Sequence, residues 1–150
     1  MSASVLRRTL TVFLGGAMFG ITTPPPRGLG LRDGQLRPCP ATLRNCVSSE
    51  PGTPAAQQVA SFPAPGGVAE MARLRAVVEA WPRTTVVRAD DQYLHAECTS
   101  LLLRFVDDVE FRFDASANVI HVRSASRIGR SDLGANRKRV EGLRAKWAAR

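Results

Sequence analysis

The chain has two histidines, and strand alternation puts both on one surface with acids and arginines. In "YLHAECTS" the alternate residues Tyr93, His95, Glu97 and Thr99 point one way. In "DDVEFRF" the same parity collects Asp108, Glu110 and Arg112, and in "VIHVRS" it collects His121 and Arg123. Histidine beside carboxylate can ligate a divalent metal. It can also move protons as a general acid–base pair, provided burial tunes the pKa. The catalytic candidates are therefore His95, Glu97 and His121, in a small hydrolase-type or metal-dependent enzyme. The pair His95-x-Glu97 has no second dense ligand motif near it, so no metal or other cofactor is expected. A serine nucleophile fails on parity, because Ser124 faces away from both histidines. No nucleophile elbow and no His-Glu-x-x-His helix occurs. The plainer expectation is a solvated sheet face. Glu97 or Glu110 would pair across strands with Arg112 or Arg123, each pair contributing ~0.2–1 kcal/mol.

A second candidate is "RSASRIGRSDLGANRKR". Arg123, Arg127 and Arg130 bring charge, Ser124, Ser126 and Ser131 bring hydroxyls, and Gly129 permits backbone forms closed to other residues. A helix start follows, with free N–H groups and partial positive charge. This pattern suits an anion cradle, although the glycine spacing is neither a Walker loop nor a dinucleotide fingerprint. The same residues also suit a structural clamp. Asp132 can cap the helix itself, and Arg127 can hold Asp107 or Asp108 of the preceding hairpin. Asn136 projects between Leu143 and Trp147 on an apolar stripe, where its amide needs partners. The backbone of the serine–arginine loop is the expected one. Both readings stay open at this point.

The elements that must position these groups are legible. Met71, Leu74, Val77, Val78 and Trp81 fall on one face of a helix that Pro82 stops. Strand signals follow at 84–88, 93–100, 107–113 and 119–124, with 101–106 as a bend or strand extension and "DASAN" as a hairpin turn. Ser131 and Asp132 open a second helix striped by Leu133, Val140, Leu143 and Trp147; Gly134 and Gly142 weaken it by roughly 1 kcal/mol each. Leu94, Ala96, Cys98, Val109, Phe111, Phe113, Ile120 and Val122 form the apolar side of the sheet. Short turns between consecutive strands predict an antiparallel meander. The expected fold is α+β and two-layered: a four-stranded antiparallel sheet, two helices on one face, and a proline-rich N-terminal arm.

Residues 1–21 carry Arg7 and Arg8 ahead of an apolar run, with no acid before Asp33. This reads as an export signal or short membrane anchor. Residues 22–35 read as a linker and 36–150 as one domain, of which 36–67 is the extended arm and 68–150 helix, four strands and helix. Prolines forbid long helices or central strands in the arm. Of the three cysteines, Cys39 and Cys46 lie close together. In an oxidising compartment they would close a small disulfide loop; otherwise they are free thiols in a flexible segment. Cys98 reads as a small buried hydrophobe. A net charge of +8 permits anionic partners. Nucleic acid is disfavoured, because Arg137, Lys138, Arg139, Arg144, Lys146 and Arg150 spread around the last helix without an aromatic platform. The partners that fit are a small anionic ligand, a lipid headgroup or an envelope protein.

Three stretches, "CPATLRNCVSSE", "YLHAECTSLLLRFVDDVEFRFD" and "VIHVRSASRIGRSDLGANRKRVEGLR", together resemble the domain of unknown function 1499 family, from about Leu36 to Trp147. The resemblance implies a small domain, often behind an export signal or membrane segments, and no defining activity. Cys98 stands where that pattern leads one to expect an aromatic residue. Taken together, the sequence points to a non-catalytic binding module of the cell envelope, with the histidine-bearing face as the enzymatic alternative.

Overall fold

Prolines deny the arm regular structure of its own, so its backbone groups must find partners elsewhere. In the computed structural model, which describes residues 23–101 and 103–149, they find them on the sheet. The segment 1–21 read as an export signal lies outside the described residues. Two short arm strands, β1 (Cys46–Ser48) and β2 (Phe62–Pro63), lie along the outer edge of the last long strand. After helix α1 (Glu70–Glu79) come β3 (Thr84–Ala89), β4 (Tyr93–Thr99), β5 (Val106–Asp114) and β6 (Val119–Ser126), then helix α2 (Ala135–Ala148).

The sheet is antiparallel in the order β1-β6-β5-β4-β3, with β2 also on β6. It has six strands, not the four expected. The two additions are too short to show alternation, and they sit between prolines that mask any strand signal. β6 runs two residues beyond Ser124, because Ser126 N–H donates to Asn45 C=O of the arm at 2.9 Å. Of the two readings of 101–106, the bend holds for the described residues up to Phe105, and Val106 opens β5. Ser100 N–H donates to Phe105 C=O at 2.9 Å and closes a turn, with Arg104 at φ 53°.

One core holds the fold's apolar side. Met71, Leu74, Val77 and Val78 of α1 and Val140, Leu143 and Trp147 of α2 meet Leu94, Val109, Phe111, Ile120 and Val122 of the sheet. Phe62 of β2 joins them, edge-on to both Phe111 and Trp147. Cys98 belongs to this core, and burial pushes its thiol pKa up. Arginines of α2 bind the arm. Arg137 donates to Ala56 and Gln58 carbonyls at 2.9 Å, and Arg144 donates to those of Ala60 and Ser61. Much of the helix's positive charge is thereby used within the molecule. Among the described residues no helix is long and apolar enough to cross a membrane.

Candidate functional site

The opposite face of the sheet carries the polar parity set, and it is not solvated. His95, Asp108, Glu110, Arg112, His121 and Arg123 are all buried, Glu110 completely. This corrects the expectation of an exposed face. Groups between residues 23 and 50 enter the network from outside the long strands, among them Thr23, Gly30, Ser49 and Glu50. Strand register sets the layout in rows: Tyr93, Arg112 and His121; then His95, Glu110 and Arg123; then Glu97, Asp108 and Ala125.

Each carboxylate is held several ways. Glu110 accepts from Gly30 N–H at 2.8 Å, Tyr93 O–H at 2.7 Å and Arg123 Nη1 at 3.2 Å. Glu50 of the arm takes a forked contact from Arg112 at 2.5 and 2.7 Å, and accepts Leu36 N–H at 2.9 Å. Asp108 receives Arg127 on both oxygens at 2.8 and 2.9 Å, with His95 Nε2 at 2.8 Å. Arg127 also bonds Glu97 and the Thr23 carbonyl, and Gly30 and Thr23 both fall in the stretch read as a linker. Burial alone would raise the Glu50 and Asp108 carboxyls. Arg112 with the Leu36 amide, and Arg127 with His95, outweigh burial and hold both below the usual range. Burial and the adjacent Glu110 charge push the Tyr93 phenol far up.

Of the catalytic candidates, His95 and Glu97 come together and His121 does not join them. His95 is on β4 and His121 on β6, with β5 between them, so they stand about 10 Å apart across two strand spacings and in different rows. His121 turns to the arm, where Nδ1 lies 3.0 Å from the Ser49 carbonyl and 3.2 Å from its hydroxyl. His95, Glu97 and Asp108 do present ligand atoms within 4.8 Å of one another. The Arg127 guanidinium bonds both carboxylates there. An entering metal ion would have to displace it.

The candidate anion residues divide between two sides. Ser124 faces the helices, donating to Asn136 Oδ1 at 2.6 Å. Arg130 and Ser131 are exposed. Arg123 and Arg127 come together instead around a cavity of about 180 Å³ under the arm, which Arg37, Asn45, Ser126 and the Asp108 carboxylate held by Arg127 also line, the Ser126 hydroxyl accepting from Asn136. Arg123 is only 2% exposed, and its Nε has no hydrogen-bond partner among the described residues. Burial lowers its pKa; Glu110 opposes that shift and the nearby Arg37 charge adds to it. Such a cavity can receive a small anion. Sequence reasoning missed Arg37, Asn45 and Glu50. The Cys39–Cys46 disulfide, with Cα atoms 5.6 Å apart, was the available signal, because it fixes the loop that holds Asn45 against the site.

Of the clamp residues, Asp108 holds Arg127 on the arm side, and Asp107 and Asn136 lie at the α2 start. Asp107 pairs with Arg139 at 2.6 Å, not with Arg127. Asn136, fully buried, donates to the Asn45 carbonyl at 3.1 Å, the Ser126 hydroxyl at 3.0 Å and Asp132 at 2.7 Å. Asp132 also accepts the Gly134 and Asn136 N–H groups and caps the helix. The backbone partner is thus in the disulfide loop, not the serine–arginine loop.

Beyond these residues, Leu101, Leu103, Phe105, Ile128 and Leu133 line an open groove of about 560 Å³ between the β4–β5 turn and the α2 start. No curated protein and no solved structure matches the chain. A family model described as "Protein of unknown function (DUF1499)" matches residues 35–147, which spans the sheet, both helices to Trp147 and every side chain of the buried polar layer, and the chain belongs to that family.

Proposed function

We propose that the protein is a non-catalytic binding module whose ligand is a small oxyanion, held under the arm among Arg37, Arg123, Ser126 and Arg127. The observation that supports it is the Nε of Arg123, at 2% exposure and without a partner among the described residues. A buried donor left unsatisfied costs about 1–3 kcal/mol, and an oxyanion would satisfy it. The ligand would also offset the crowding of Arg37 against Arg123. Arg127 is fully engaged by Asp108, Glu97 and Thr23, so it would contribute field more than a new bond.

The test is a thermal melt in phosphate against chloride at matched ionic strength. A ligand present at 100 times its dissociation constant stabilises by about 2.7 kcal/mol. Phosphate should raise the midpoint of the wild type and raise it less in Arg37→Ala, whose side chain is half-buried. Identical midpoints in the two salts would overturn the reading.

The location that fits is the cell envelope, reached through residues 1–21 as signal or anchor. The Cys39–Cys46 disulfide supports this, since such bonds persist in oxidising compartments. Fractionation of tagged protein with and without residues 1–21 checks it; equal cytosolic recovery would count against it.

A further inference from the structure

Leu101, Leu103 and Leu133 are 70%, 62% and 97% exposed. Single exposed leucines are ordinary, but these three line one groove, with Phe105 and Ile128 along its walls. A concave site lined mainly by apolar side chains is the kind of place that takes a small-molecule ligand. Leu133 is the most telling. Its backbone sits at φ 53°, in the left-handed region where a leucine is strained. At 97% exposure it supports no core. Neither burial nor backbone preference accounts for leucine there, whereas an apolar ligand would.

Ser126 and Gly129 line both the groove, on the helix side of β5 and β6, and the arginine-lined cavity, on the arm side, so a ligand reaching both would pass around the end of β6. The groove's acids are already engaged, Asp107 by Arg139 and Asp132 by the α2 start. Arg104 and Arg130 are exposed, and each is flanked in sequence by two residues that line the groove. The surroundings therefore favour negative charge at the rim and hydrocarbon within. The volume of about 560 Å³ lies in the range of ~300–1,000 Å³ typical of sites that take one small molecule. A concave site of that size fits one chain, not the plane of a bilayer.

We propose that the groove holds the hydrocarbon chain of a single-chain anionic amphiphile whose head occupies the arginine-lined cavity. This rests on the oxyanion reading above and extends it to the ligand class. Burying each methylene adds a few-fold in affinity, so chain length becomes the readout.

Inorganic phosphate, butyl phosphate and dodecyl phosphate, the last kept below its micelle-forming concentration, are titrated against the full chain by calorimetry. Affinity should rise with chain length, by at least a hundredfold from phosphate to the dodecyl ester. In Leu103→Asp and Leu133→Gly that gain should shrink at least tenfold while phosphate binding is unchanged. Leu133→Gly should also raise the melting midpoint, because glycine relaxes the left-handed backbone, so lost binding there is not lost folding. Phosphate binding with no gain from the chain would overturn this inference and leave the oxyanion reading intact. No binding of any of the three would overturn both. A chain-length gain that survives both substitutions would place the hydrocarbon elsewhere and sink the proposal. So would binding confined to anionic vesicles, or a ligand-free dimer that Leu103→Asp dissociates, since those assign the groove to a bilayer or to a second copy.

Discussion

On one face of the sheet Leu94, Val109, Phe111 and Val122 meet two helices; on the other His95, Asp108, Glu110 and Arg123 meet an arm with almost no regular structure. Both faces are buried to a similar depth. The apolar face is closed by a non-directional force, so a helix stripe of suitable width suffices. The polar face requires a partner at each atom. An irregular arm supplies these well, because its own N–H and C=O groups are not committed to a helix or a ladder. Gly30 N–H on Glu110 and Leu36 N–H on Glu50 are examples. The covering element is thus matched to the chemistry of the face it covers.

The largest expected effects distinguish the two faces by their response to pH. Phe111→Ala should cost about 3–5 kcal/mol through a cavity, and the loss should be the same at pH 7 and in acid. Asp108→Asn should cost about 3–5 kcal/mol at pH 7, because it removes the negative partner of a buried charge cluster. The folded Asp108 carboxyl is held below its ordinary value by Arg127 and His95. Its contribution is therefore present above the unfolded aspartate pKa of about 3.9, and is lost as pH falls through the lower folded value. Denaturant melts at pH 7 and near pH 2 should show the asparagine variant converging on the wild type while the alanine variant does not. Equal gaps at both pH values would mean that the polar face is not held by charge.

The disulfide comes next. It closes a short loop, with its cysteines seven positions apart, on the arm alone. Chain entropy gives about 2–3 kcal/mol for a loop of that size. Cys39→Ser with Cys46→Ser should lower stability by that amount. Hydrogen exchange should show the change concentrated at Arg44–Ser48, where the loop joins β6, and not in α1. Uniform loss across the molecule would mean that the arm and the helix side unfold as one unit.

How much of this was legible in the sequence follows from the same contrast. Alternation assigned Phe111 and Glu110 to opposite faces, and the helical stripe assigned Leu74 and Val78 to the core, because periodicity is local. It could not say what covers Glu110. That depends on Gly30, 80 residues away, and on Glu50 meeting Arg112 across 62 residues. Alternating charge looks the same on a wet face as on a buried, matched one. The arm's contribution of β1 and β2 was hidden for a related reason, since strands of three and two residues have no period to read. Asn136 was visible as a polar residue on an apolar stripe, but its Asn45 partner lies 91 residues away.

Asn136 sits where the two faces join. Its amide bonds the arm at Asn45, the sheet at Ser126 and its own helix at Asp132, and its oxygen accepts from Ser124 and Arg139. Asn136→Ala should cost about 1–3 kcal/mol by leaving buried groups unpaired. Asn136→Asp removes the donors yet keeps an acceptor for Arg139, so its cost shows which half of the amide matters. If alanine melts like the wild type, the junction is held by Asp132 and the strands without it.

The smallest effect tests how tightly the helix side is packed. Gly142 lies in α2, where alanine should gain roughly 1 kcal/mol from helix propensity alone. A Cβ there would come within 2.3 Å of Trp81 Cη2 and 3.0 Å of Cζ3. Trp81 follows the end of α1 and packs on the core, so its ring must shift for the methyl to fit. Overpacking of that kind costs about 1–3 kcal/mol, which exceeds the propensity gain. Gly142→Ala should therefore lower stability by about 1 kcal/mol. Combined with Trp81→Ala, which removes the obstruction, the same substitution should turn stabilising. The sign reversal in a double-mutant cycle carries the argument, because propensity is unchanged between the two backgrounds. If Gly142→Ala stabilises the wild type instead, the tryptophan yields at little cost, and the apolar face tolerates misfit that the polar face, with a partner fixed at each atom, does not.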